Sequence, residues 1–134
     1  MPISPQMVVQ IAPISGASEV TAQRAVTGST STTRTTACTP TSGKKIRAIA
    51  VFMFTTSSTA AAFEVYFGTG ANIGSDATKI IAEQYLDVGA NEANTAVVFP
   101  DGAGPVGAVD DVVSIRTSTD IGANGIVNII YREE

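Results

Sequence analysis

Between Gly43 and Thr56 the chain reads GKKIRAIAVFMFTT, the longest apolar run in the sequence. Side chains alternate faces along a strand. Alternation puts Ile46, Ala48, Ala50, Phe52 and Phe54 on one side and Arg47, Ile49, Val51 and Met53 on the other. Both faces are largely apolar and both need cover, which predicts the central strand of a β-sandwich. The last apolar run, Ile126 to Arg132, has the same property: its faces are Ile126, Asn128, Ile130 and Val127, Ile129, Tyr131.

The other segments are short and bounded by turn residues. Glu19 to Ser29 alternates Val20, Ala22 and Val26 with polar positions and reads as a half-buried strand. Thr32 to Thr39 is Thr-rich and reads as an exposed or edge strand, ended by the turn Pro40 to Gly43. Ala61 to Gly68 sets Phe63, Val65 and Phe67 against Glu64 and Tyr66, the cleanest alternation in the chain. Thr78 to Val88 sets Ile80, Ala82, Leu86 and Val88 against Lys79, Glu83 and Asp87, although Ala77 to Leu86 also admits a helix. Thr95 to Phe99 and Val112 to Thr117 complete a set of about eight strands. Turn signals every eight to fourteen residues point to an all-β sandwich or jelly roll.

Residues 1–18 read as an extended N-terminal arm and residues 19–134 as the β-sandwich domain. Pro2, Pro5 and Pro13 forbid a helix in the arm, yet it carries Ile3, Met7, Val8, Val9, Ile11 and Ile14. Apolar side chains in a segment with no core of its own predict docking on a partner chain by strand addition, with Met7, Val8, Val9 and Ile11 as the contact residues. The arm lacks the basic leader and unbroken apolar stretch of a signal peptide, and no run approaches a membrane-spanning length. The expected setting is a soluble protein made and used in the cytoplasm, or assembled there into something larger.

Composition narrows the chemistry. There is no histidine, so the commonest general base and neutral metal ligand are absent. The net charge of −4 opposes nonspecific attraction to nucleic acid. The lone Cys38 cannot form an intrachain disulfide and reads as a small buried hydrophobe. Gly68, Gly70 and Gly74 are spaced wrongly for a dinucleotide turn. Asp76, Asp101, Asp110, Asp111 and Asp120 are loop carboxylates without EF-hand spacing. Glu64 and Glu83 sit on strands and could face each other as a glycosidase pair would, but with no Trp the platform for a sugar is thin. Lys44, Lys45 and Arg47 form the one basic cluster, suited either to blocking edge pairing or to docking on an acidic protein surface. No cofactor and no catalytic residue emerges.

The order of these segments carries a resemblance. A Thr/Ser-rich lead-in precedes GKKIRAIAVFMF; AAFEVYFGTG, the turn FPDGAGPVG and the closing strand GIVNIIYREE follow. This order resembles small β-sandwich structural proteins of tailed bacteriophage virions, especially head decoration (cement) proteins and related head-fibre bases. The resemblance implies a compact sandwich that assembles as a homotrimer on the capsid lattice, with the major capsid protein or another virion protein as partner and an arm that clamps neighbouring subunits. It implies no catalytic or metal residues. The alternative is a glycan- or receptor-binding module of a fibre or tail, which would need Tyr66, Tyr85 or Tyr131 exposed near Asp or Asn side chains.

Overall fold

The computed structural model describes residues 19–74, 77–87 and 93–134. The alternating segments form eight strands: β1 (Thr21–Val26), β2 (Thr35–Cys38), β3 (Ile46–Thr55), β4 (Ala61–Phe67), β5 (Lys79–Leu86), β6 (Ala93–Val98), β7 (Val113–Thr117) and β8 (Gly125–Glu133). They build two four-stranded sheets, ordered β1-β8-β3-β6 and β2-β7-β4-β5. β1 pairs with β8, β2 with β7, β3 with β6 and β4 with β5, always antiparallel. That nesting is one long hairpin folded over on itself, and the β3–β8 and β4–β7 ladders then knit it into two sheets. The protein is therefore a jelly-roll β-sandwich. The expected arm contacts Met7, Val8, Val9 and Ile11 lie outside the described residues.

The interior is built from one face of each sheet. Phe63, Val65 and Phe67 of β4 point inward with Val113 and Ile115 of β7, and meet Val51 and Met53 of β3 and Val127 and Ile129 of β8. Each buried side chain of this size contributes about 1.5–3 kcal/mol.

Three sequence readings need correction, and each has a local cause. In β3 the register against β8 shifts between Ala48 and Ala50, so Ile49 is an extra residue. Such a bulge resets the alternation. Ile46 and Ala48 face the core before it; Val51, Met53 and Thr55 face the core after it. Phe52 and Phe54 therefore lie on the opposite face from Ile46 and Ala48, with which strict alternation groups them. In β1 the apolar positions Val20 and Val26 are exposed, and Ala25 and Thr27 are the buried ones. Ala25 lies opposite the core residue Val127. Thr27 is tolerated inside because its hydroxyl donates to Gly122 O (2.6 Å) and accepts from Gly125 N–H (3.0 Å). Finally, residues 79–86 form the strand that their alternation predicts, but a register shift between Val65 and Tyr66 inserts Ile81 into the core while Ile80, expected inward with Ala82 and Leu86, turns outward.

Cys38 ends β2 inside the core. Burial pushes its thiol up to about 12, outweighing the hydrogen bond from the Val113 backbone that favours the thiolate. The thiolate is the reactive form. Native protein at pH 8 is thus expected to resist iodoacetamide, with labelling complete only after unfolding in denaturant. Rapid labelling of the native protein would show that β2 opens on its own.

Candidate functional site

The bulge in β3 decides what the outside of the β1-β8-β3-β6 sheet looks like. Past Ile49, the residues Ala50, Phe52 and Phe54 face away from the core. Cross-strand register then arranges the outer face in three rows. One row is Val26, Ile126, Phe54 and Asn94. The next is Arg24, Asn128, Phe52 and Ala96. The third is Ala22, Ile130, Ala50 and Val98. Arg24 is the single charge in these rows. Phe52 is 41 % exposed, Val26 38 % and Val98 67 %. A sheet face on water ordinarily alternates to polar residues, and a contiguous apolar patch marks an interaction surface.

The rim of this face is polar and fixed. In the row beyond Ile130, Arg47 pairs with Arg132 across β3 and β8. Arg132 grips Asp101 through Nε (2.9 and 3.0 Å) and Nη2 (2.7 Å). Arg47 ion-pairs with Glu134, and its Nη1 donates to Gly104 O (3.0 Å). The guanidinium partners hold the Asp101 and Glu134 carboxyls below the usual carboxylate range. An apolar centre with a polar rim is the anatomy of a protein interface.

The outer face of the second sheet is the opposite case. Glu64 ion-pairs with Arg116 and accepts from Ile73 N–H (2.8 Å). Tyr66 OH donates to Gly70 O (2.7 Å), and Ser114 OH donates to Gly68 O (2.5 Å). Arg34 Nη1 donates to Ser114 Oγ (3.0 Å). The glycine-rich segment after β4 is thus a cover pinned over polar side chains. One outer face has its polar side chains covered by its own chain and exposes Ile80 and Tyr85 at its β5 edge; the other presents Phe, Val and Ile.

The sequence-predicted site residues fall as follows. Lys44 and Lys45 are exposed at the turn before β3. Arg47 is not free beside them: Glu134 takes its charge, and Lys45 lies close enough to help lower the Glu134 pKa. The basic cluster is therefore interleaved with the C-terminal acids. Glu64 and Glu83 are register partners, as expected of facing residues, but Arg116 occupies the first of them. The loop carboxylates are spent on local donors. Asp110 accepts from Gly43 N–H, Asp111 from Ala108 N–H and Thr78 OH, and Asp120 from Ser31 N–H and Gly122 N–H. Asp76 lies outside the described residues. Among the described residues no three acidic or thiol groups converge to hold a metal ion. Tyr66 and Tyr131 are buried, and Tyr85 alone of the three tyrosines is exposed.

Residues of the apolar outer face, which alternation groups with Ile46 and Ala48 in the case of Phe52 and Phe54, carried one usable signal: β3 and β8 are each apolar on both faces. Which face holds the aromatic rings depends on the bulge.

No family model matches the chain, and no curated protein matches it. Among solved structures it is similar to a chain of the virus-like particle of the giant freshwater prawn Macrobrachium rosenbergii extra small virus, seen by cryo-electron microscopy. The two share 13 % identity over 99 % of this chain and 87 % of that one, with a TM-score of 0.47.

Proposed function

We propose that this chain is a non-enzymatic structural protein of a virus particle, a decoration or cement subunit that binds the capsid surface and stabilises the head as a homotrimer. The jelly roll serves shells, lectins and enzymes alike, so the fold does not carry the reading. The apolar outer face of the β1-β8-β3-β6 sheet carries it. Its centre is Phe52, Phe54, Ile126 and Ile130, its rim is ion-paired, and Val26, Phe52 and Val98 stand exposed on it. The partner is the major capsid protein or another virion protein. A subunit that binds the assembled lattice and not its free parts shifts the equilibrium toward the lattice by mass action. Catalysis has no place in this role.

The test is co-sedimentation of the full-length protein with empty shells assembled from the capsid protein of the same particle. Phe52→Asp removes about 1.5–3 kcal/mol of apolar burial and puts a carboxylate against the partner. Shell binding is expected to weaken by about a hundredfold or more, while circular dichroism and the solution mass stay those of the parent. Undiminished pelleting of Phe52→Asp with shells would overturn the assignment of this face.

A further inference from the structure

Edge strands of natural sheets are shielded by charge, proline, a bulge or shortness. In this protein β1 carries Arg24, β2 is four residues long with a register shift, and β5 carries Lys79 and Glu83 and a register shift. β6 has none of these devices. It reads Ala93-Asn94-Thr95-Ala96-Val97-Val98, without charge or proline, and pairs with β3 in unbroken register. Phe99 N–H donates to Ile49 O (2.8 Å). Alternation along the ladder then aims the backbone groups of Asn94, Ala96 and Val98 away from β3, at the open edge of the sheet.

The chain itself contains a strand that fits this edge. Met7–Ile11 reads MVVQI, again without charge or proline; one parity is Met7, Val9 and Ile11, and the other is Val8 and Gln10. Beside β6 it would extend the outer row through Ala96 and Val98 and the inner row through Val97 at once. We infer that Met7–Ile11 of a second copy adds to β6 as an antiparallel strand. The inference rests on the proposed structural role and names the contact between copies within it. The donor is a second copy because of path length. A strand antiparallel to β6 runs parallel to β1, so residue 11 would end at the far end of the sheet from the start of β1. Within one chain the connection would cross four strand spacings and a strand length, roughly 25 Å over the protruding outer face. The ten residue steps from Ile11 to Thr21 reach ~33–36 Å fully extended, so such a connection would have to stay largely extended across that face. A neighbour's edge imposes no such route. β1, from which the donor segment leaves, and β6 are opposite edges of the same sheet, so the contact is head-to-tail; it makes a ring where its rotation closes, as in a trimer, and an open filament where it does not.

Residue-resolved hydrogen exchange on the full-length protein tests this. The amides of Ala96 and Val98 are expected to exchange at least about tenfold more slowly in the parent than in full-length Val9→Asp. Val9→Asp is also expected to drop the solution mass from that of three 13.7 kDa chains to one. A synthetic peptide spanning residues 5–14, added to Val9→Asp, is expected to restore the protection without restoring the mass. Ala96→Pro removes an amide from the open edge while keeping the β3 bonds; it too should give folded monomer. Protection that survives Val9→Asp would assign the edge to another β6 and overturn the inference. So would protection that persists in the parent diluted to monomer, which would assign it to the chain's own arm. If either occurs while Phe52→Asp still releases the protein from shells, the contact between copies is withdrawn and the shell-binding face stands.

Discussion

Glu64→Ala is expected to cost the fold about 3–5 kcal/mol, the usual penalty for breaking a buried ion pair by removing one partner. Glu64 is 4 % exposed, at the centre of β4. One carboxylate oxygen pairs with Arg116 Nη1 and the other accepts Ile73 N–H. Arg116 is itself largely covered and also donates from Nε to Thr32 O (3.0 Å). A guanidinium cannot shed its proton, so removing Glu64 strands a buried charge and frees an amide of the covering segment. Against a total stability of about 5–15 kcal/mol the loss is large. Urea unfolding should show a much lower midpoint with the slope unchanged. Replacing both partners, Glu64→Leu with Arg116→Met, is expected to recover most of the loss, since an apolar pair of similar volume is often as stable as a buried ion pair. A single-variant cost below about 1 kcal/mol would mean that the pair behaves as a solvent-screened surface bridge.

That pair also shows why parts of the molecule could be read from the sequence and parts could not. β4 was legible because its alternation is unbroken from Ala61 to Phe67 and one parity is aromatic or branched; its inward Phe63, Val65 and Phe67 follow directly. The class and the strand number follow from many such short segments between turn residues. Glu64 and Arg116, 52 residues apart, meet because β4 lies beside β7, and strand order is not written in either segment. Arg47 and Glu134 meet for the same reason across β3 and β8. The doubly apolar character of β3 and β8 did announce a second apolar face. Its composition stayed hidden behind the single residue Ile49, because a one-residue shift moves every later side chain to the other side.

The bulge at Ile49 is held by a close approach that makes the second large prediction. The segment after β6 runs along β3: Phe99 N–H donates to Ile49 O, Ala48 N–H to Pro105 O (2.9 Å) and Gly107 N–H to Ile46 O (3.0 Å). Gly104 sits where this segment presses on the strand, and a Cβ there would lie 1.9 Å from Ala48 O. A backbone oxygen inside a ladder cannot rotate away as a side chain can. Gly104→Ala must therefore lift the segment or push β3, losing hydrogen bonds on top of the overpacking cost of 1–3 kcal/mol. The expected loss is about 3 kcal/mol, or roughly a 10 °C drop in Tm. Gly102→Ala is the control: its φ of +87° is strained for alanine but its Cβ meets nothing within 4 Å, so about 1–2 kcal/mol is expected. Gly104→Ala should also loosen Arg47, whose Nη1 donates to the Gly104 carbonyl at the rim of the apolar face. Equal melting of the two variants would mean that the segment lifts freely. The register of β3, and with it the outward aim of Phe52 and Phe54, would then have to be held by the β8 and β6 ladders alone.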